Sequence, residues 1–469
     1  MFLLLCVAWA TDPLPPEREP GAAPAAYAIP TDPVLDALIR ESLAARPEIA
    51  AAEDAVRARG ERAVQAGALP DPTLSVGIQN DGFRSIEIGR MESSYVSLMA
   101  SQAFPWPGKL ALRTDISELQ VGVAESELSR ARLGTEAEVR RAYVDLLLAR
   151  ERLRLLGRLT ELWDQSEKVA RVRYETGEGN QADVFRAQLE RGRLQQRKWS
   201  LEAEERVRVQ ALNRLRVRPL DAPIEPPVVL RDLPLPELGE RDALLEDTLR
   251  RSPELAAARL AVEQAGRATA LARKGWAPDL SVGAGLMARG PLPPMWAAEV
   301  SFPIPAYGGR KQARAVAENV ALADAAERQA DALAQVLAER VAERAAQWAA
   351  LREVVELYRR GLLVQSAATA ESTLGQYQVG RVGFTSVLEA VAGYIGDEDA
   401  FVQSLAELHR IAIQHAEVSL DPVGLSTGAM GGTGMSSSPA AGPAAPIRGG
   451  APGPAPAAAS DASTSSMGM

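Results

Sequence analysis

Leu74, Val76 and Ile78 alternate with Ser75, Gly77 and Gln79. A period of two puts the apolar side chains on one face of a strand and the small or polar ones on the other. Tyr95 to Gln102 carries a weaker version of the pattern, and Leu280–Met287 and Trp296–Phe302 repeat both. Strands are therefore expected near 73–80, 95–104, 280–287 and 296–302. Each is close to the roughly 9–11 residues that cross a bilayer as a tilted barrel strand. The period changes outside these stretches. Residues 34–67 read as helix, with few breakers after Pro47. Val139, Tyr143, Leu146, Leu153, Leu156, Leu159 and Trp163 recur at helical spacings with charged residues between them, as in a coiled-coil seam. Helices are predicted over 109–176, 181–216, 311–378 and 384–420. The first of these would be about 100 Å long.

The chain also repeats itself. Pro47-Glu48, Ala55-Val56, Gly60 and Leu74-Ser75-Val76-Gly77 recur 206 positions later as Pro253-Glu254, Ala261-Val262, Gly266 and Leu280-Ser281-Val282-Gly283. "YETGEGNQADVFRA" (174–187) returns as "YQVGRVGFTSVLEA" (377–390), 203 positions on. "QAFPWPGK" (102–109) returns as "VSFPIPAYGGRK" (300–311), with Phe104 matched 198 positions on by Phe302. The shift from 206 to 198 places an eight-residue deletion in a loop around 289–295. Each module thus reads helix, strand, strand, long helix, tight turn, helix. The first is expected over 34–218 and the second over 240–420, with a proline-rich linker at 219–239.

Two motifs interrupt each module. Pro105 and Pro107, like Pro303 and Pro305, remove backbone donors and end a strand ladder. Gly108 then lets the chain turn into a helix. The glycines Gly177, Gly179, Gly380 and Gly383 suit tight turns that need positive φ or close backbone approach.

Composition narrows the function. Charged residues make up 24% and aromatics only 5%, which suits long helices rather than a thick β core. A net charge of −9, without a basic patch, argues against nucleic acid as a partner. "GEGNQADVF" has no Lys-Ser/Thr and no preceding strand, so it is not a nucleotide loop. Two histidines leave little scope for a catalytic triad, and no enzyme activity or cofactor is expected. His409 and His415, six apart, do not make a metal pair on one helix face; they read as surface or packing residues. "MFLLLCVAWATDP" reads as a signal peptide cleaved after Ala10 (residues 1–10); Cys6 offers a lipoprotein alternative. A Pro/Ala-rich segment spans 11–33. Residues 421–469 are too poor in large apolar side chains to fold, and their methionines lack partner ligands for a metal site.

Four strands cannot close a membrane barrel, since the smallest need about eight. The whole pattern resembles the TolC family of outer-membrane efflux ducts, over roughly residues 34–420. The corner "SQAFPWPGK" further resembles the CzcC-like, heavy-metal branch. The resemblance implies an α+β membrane fold: four barrel strands per chain, shared in a homotrimeric 12-stranded β-barrel in outer-membrane lipid. A long α-helical barrel would continue it into the periplasm, with the linker in an equatorial belt. It also implies a passive exit duct whose tip turns (Gly177, Gly179, Asn180, Gly380, Arg381, Gly383) dock a periplasmic adaptor, which bridges to an inner-membrane pump of the RND type. "SVLEA" (386–390) matches the family's segment after the second tip, where a carboxylate rings the inner aperture. Glu389 takes that place, and Asp183 is the first-copy candidate, although the 203 register aligns it with Ser386 rather than Glu389. Both could equally be solvated helix residues. Trp106, Trp276, Trp296 and Tyr95 would form an interfacial belt or merely pack the corners. The competing readings are a soluble periplasmic coiled-coil scaffold or adaptor, and a duct for drugs or secreted polypeptides.

Overall fold

The computed structural model describes residues 32–422. The readings of a leader at 1–10, of the segment at 11–33 and of the tail at 421–469 lie outside these residues, apart from their inner ends. Helices α1 (Pro33–Ala45) and α2 (Pro47–Gly67) precede strands β1 (Thr73–Gln79) and β2 (Tyr95–Phe104). Helices α3 (Lys109–Glu175) and α4 (Gln181–Leu215) complete the first module. The second runs α5 (Arg241–Arg251), α6 (Pro253–Arg273), β3 (Leu280–Arg289), β4 (Leu292–Ser301), α7 (Gln312–Leu357), α8 (Leu363–Gln378) and α9 (Phe384–Ala416). Among the described residues no helix is long and apolar enough to cross a membrane.

Three boundaries differ from the sequence reading, each for a local reason. The single helix expected over 34–67 is two, because the residue before a proline is pushed out of the helical region. Arg46 sits at ψ 123° before Pro47, and Ser252 repeats this at ψ 116° before Pro253. The helix expected over 311–378 is broken by a π-turn at Tyr358–Leu362. Its Tyr358 ring packs 6.2 Å from Phe401. The segment around 289–295, expected as a loop, is mostly strand. Gly290, at φ +64°, and Pro291 make a two-residue turn between Arg289 and Leu292. Pro293 and Pro294 then lie in β4, which tolerates them as an edge strand.

The four strands form an antiparallel sheet in the order β1-β2-β3-β4, leaving β1 and β4 as free edges. Its register sorts the side chains. Val76 pairs with Leu98, Leu98 with Leu286, and Leu286 with Trp296, so these share one face. Leu74, Ile78, Val96, Phe104, Leu280, Val282 and Val300 join them by parity. Most of these apolar side chains are exposed, Val76 by 71%. The other face carries mostly small residues, Ser75, Gly77, Ser97, Ser101, Ser281, Gly283, Gly285 and Ser301, with Met99, Met287, Met295 and Glu299 among them. The sheet therefore has its apolar side out and its small, polar side opposite, the reverse of a sheet packed on a soluble core.

The long helices enclose two large apolar cores, beside a small third one of Leu255, Leu337 and Val418. The central core gathers Leu35 and Leu38 of α1, Tyr143 to Leu148 of α3, Leu212 of α4 and Phe401 to Ile413 of α9. The proline-rich linker joins it through Ile224, Leu230 and Leu233. Linker carbonyls are held from below: Asn213 Nδ2 donates to Leu220 O at 2.7 Å and Ala222 O at 2.8 Å, and Trp348 Nε1 donates to Pro236 O at 3.2 Å. His409 and His415 are buried in α9, where desolvation drives each pKa down to about 4. They are neutral packing residues at pH 7. The distal core runs from Leu156 to Ala170 on α3 and from Phe384 to Val391 on α9.

A polar layer separates the two cores. Glu151 on α3 and Glu398 on α9 are buried, 3% and 5% exposed, and the linker's Arg231 donates to both. Tyr394 Oη adds a bond to Glu398 at 3.1 Å. Burial pulls the Arg231 guanidinium down, but the two carboxylates outweigh it and hold the group above its ordinary value. The linker is thus pinned to both modules through one side chain. Removing Arg231 leaves the buried Glu398 without a described ion partner, at about 3–5 kcal/mol, while Glu151 keeps Arg154 at 2.6 Å. Arg231→Ala should therefore lower the unfolding free energy by that order. Arg360→Ala, with a side chain 81% exposed, should change it by under about 0.5 kcal/mol. Equal unfolding midpoints for the two variants would show that the bridge carries no stability.

Candidate functional site

The chemistry-bearing positions collect at the two ends of the long helices. At the sheet end, Pro105 and Pro107 follow β2, and Gly108 caps α3 at φ +83°. Lys109 is buried and reaches into the second module. Its Nζ donates to Ala277 O and to Asp279 Oδ1, each at 2.7 Å. The Trp106 N–H donates to the same Asp279 oxygen at 2.8 Å, and Lys274 Nζ donates to Pro107 O at 3.0 Å. The first corner is therefore fastened to the approach of β3. The second corner, at Pro303 and Pro305, uses no positive φ among its residues. Its Gly308 lies flat on Trp276 instead: a Cβ there would sit 2.5 Å from the ring. Trp106 and Trp276 are both exposed at this end, Trp296 lies within β4, and Tyr95 sits at the far end of β2, where its hydroxyl meets Gln79 at 2.7 Å.

At the other end the two helical hairpins turn by the same device. Gly177 takes φ +78°, its N–H donates to Tyr174 O at 3.1 Å, and the next N–H, of Glu178, donates to Arg173 O at 2.8 Å. Gly380 takes φ +75°, its N–H donates to Tyr377 O at 3.0 Å, and the Arg381 N–H donates to Gln376 O at 2.9 Å. Both are Schellman caps, in which an αL residue lets two N–H groups satisfy the last helical carbonyls. Gly179 makes a close approach instead, since a Cβ there would meet the Arg173 backbone at 3.0 Å. Asn180 and Gly383 are extended N-cap residues of α4 and α9, and neither makes a side-chain cap bond. Gly383 faces open space.

The two tips touch through residues that the motifs did not single out. Arg173 donates to Tyr377 O, donates to Glu178 O at 3.2 Å, and stacks 5.0 Å from the Tyr377 ring centroid. Tyr377 is 2% exposed and meets Phe384 edge-on at 5.5 Å; Phe384 meets Trp163 at 5.9 Å. Burial and the Asp183 carboxylate hold the Tyr377 phenol above its ordinary pKa, against the pull of Arg173. Asp183 thus faces the seam between hairpins, paired with Arg186 at 3.6 Å, and Arg186 reaches Thr385 across the seam at 3.5 Å. Glu389 stands apart. It is exposed on α9 and makes no ion pair among the described residues. Arg381 is exposed as well. The repeated Tyr three residues before each tip glycine was the available signal for Tyr377. Arg173 had none, because its second-copy counterpart is Gln376.

An L side chain in the αL region costs about 1–2 kcal/mol. Gly380→Ala should destabilise the protein by about that amount, whereas Gly383→Ala, at φ −80° in open space, should be close to neutral. Chemical unfolding of the two variants compares them directly; equal effects would mean that the cap geometry does not constrain the tip.

Comparison with known proteins follows this geometry. No curated protein matches the chain in sequence. Among solved structures, the outer-membrane channel OprN superposes with a TM-score of 0.70 at 20% identity, covering 82% of this chain and 90% of OprN. CusC, described in terms of transmembrane channel formation, gives 0.71 at 17% identity, covering 82% and 92%. The outer membrane protein VceC of Vibrio cholerae gives 0.70 at 18% identity, covering 82% and 96%. At these identities the likeness is one of fold. Residues 38–217 and 244–414, one stretch in each module, match the family described as outer membrane efflux protein. The chain belongs to that family.

Proposed function

We propose that three copies of this chain form one duct through the outer membrane and that its tips dock a periplasmic adaptor beneath it. Efflux across the outer membrane is the function of its family, a class of channels rather than of enzymes. The observation that carries the assembly is the open sheet: four strands, an apolar outer face, and free edges at β1 and β4. In lipid each unpaired backbone group costs several kcal/mol, so the edges must pair with other copies. Two copies would give eight strands, whose interior side chains fill. Three give twelve, and the small residues of the inner face then line an open passage. The helices repeat the logic. Within the chain α3 packs between α4 and α9, and α9 packs on α8, which leaves α4 and α8 on the outside. Phe185 and Leu189 of α4 and Val364 and Val379 near α8 are exposed there and would meet across copies.

The tips supply the docking and closing elements. The two Schellman turns, with Gly177, Gly179 and Asn180 on one hairpin and Gly380, Arg381 and Gly383 on the other, present short backbone loops for an adaptor. An inner-membrane pump of the RND type would drive the flow. Arg173, Tyr377 and Asp183 hold the paired hairpins of one chain together. Glu389, exposed and without an ion pair among the described residues, would form a ring of three carboxylates with its copies around the aperture. Such a ring favours cations, in keeping with the corner's likeness to the heavy-metal branch.

Reconstituted in a planar bilayer, the channel should prefer cations, and Glu389→Lys should reduce or invert that preference. Unchanged cation/anion selectivity would remove Glu389 from the constriction.

A further inference from the structure

The corner end of the sheet gathers several cations without ion partners next to its apolar face. In the helical part some cations are matched, Arg208 at 3.1 Å and Arg410 at 2.5 Å by Asp145, and Arg130 and Arg141 by Glu417, while others, such as Arg197 and Arg206, stand singly. At the corners Arg113, Arg273, Lys274, Arg310 and Lys311 make no ion pair with any described carboxylate. The acid among them, Asp279, is already taken by Lys109 at 2.7 Å. These cations lie in one contiguous zone. Gly308 of the second corner packs on Trp276, Lys274 beside it bonds to Pro107 of the first corner, and Arg113 acts electrostatically on Asp279.

The apolar face of the sheet runs directly into this zone. Trp106 follows the end of β2, and Phe302 and Ile304 follow the end of β4; all are exposed, as is Tyr307. Apolar surface thus gives way to exposed aromatic rings and then to unpaired guanidinium and ammonium groups. That sequence of surfaces matches acyl chain, interfacial layer and phosphate of one lipid molecule. We propose that the corner zone is a seat for anionic phospholipids of the leaflet facing the periplasm, with the headgroup phosphate held by Arg273, Arg310 and Lys311. The lipid fastens the joint between barrel and helices. The proposal rests on the sheet lying in a bilayer.

The full-length protein, assembled in nanodiscs of mixed phosphatidylcholine and phosphatidylglycerol, tests it. Lipid that stays bound after detergent extraction is counted by mass spectrometry. Phosphatidylglycerol should be retained over phosphatidylcholine. Arg273→Gln/Arg310→Gln/Lys311→Gln should cut that preference by about fivefold per charge removed. Arg197→Gln/Lys198→Gln/Arg206→Gln, which removes three exposed charges from α4, should leave it intact. The exposed pair Arg310→Gln/Lys311→Gln repeats the test if the triple variant does not assemble. Equal retention of both lipids, or equal loss in the α4 control, would overturn the proposal. So would displacement of the lipid by inorganic phosphate at matched ionic strength, which would mark a free-phosphate site. A protein that does not enter the mixed-lipid disc would fail the bilayer placement itself, a result distinct from insertion without lipid preference.

Discussion

Backbone hydrogen bonding at the two ends of a four-stranded sheet governs this molecule. The apolar side chains of β1 to β4 face outward, so the sheet belongs in lipid. There an open edge has no water to satisfy it. A single chain can neither bury these edges nor close them, because its strands run in simple order with β1 and β4 outermost. The helical part inherits the same openness, with α4 and α8 at its margins. Assembly is then a condition of folding into the membrane, and the barrel strands need only be short.

Duplication meets this condition with one module used twice, but the copies have diverged where their surroundings differ. One hairpin has a long first loop (residues 80–94), in which Asn80 bonds to Gly82 O, Ser85 O and the Glu87 N–H; the other turns on Gly290 and Pro291 alone. The corners both stop a strand with two prolines, yet one turns at αL Gly108 and the other by laying Gly308 on Trp276. The tips keep the same cap, while the tyrosine before each glycine has parted company: Tyr174 is 47% exposed and Tyr377 2%. The buried copy became part of the contact between hairpins.

Much of this was legible in the sequence, and the reasons are specific. Leu74, Val76 and Ile78 announced a two-faced strand because the period of two is strict where one side meets lipid. The glycines of the tips stood out because the αL position tolerates few other residues. Boundaries set by proline were harder to read: Arg46 and Ser252 leave the helix because of the residue that follows, and Pro293 and Pro294 disguised an edge strand as a loop. The contacts between modules left the least trace. Arg231 bridging Glu151 and Glu398, or Arg173 over Tyr377, joins positions far apart in the chain. Among so many arginines, nothing in the order of residues sets these two apart.

The pairing of β1 with β4 between copies is the claim on which the rest stands, and disulfide trapping tests it most directly. Cysteines would be placed at Ser75 or Gly77 in β1 and at Ala297 or Glu299 in β4, all on the inner face, in a Cys6→Ser background. Within one chain these strands are separated by two others, about 14 Å across the sheet. That exceeds the roughly 7 Å limit on Cα separation for a disulfide, so any cross-link must join two chains. Oxidation should yield a covalent trimer for the pairs in register. Monomers alone across every pairing would contradict the account.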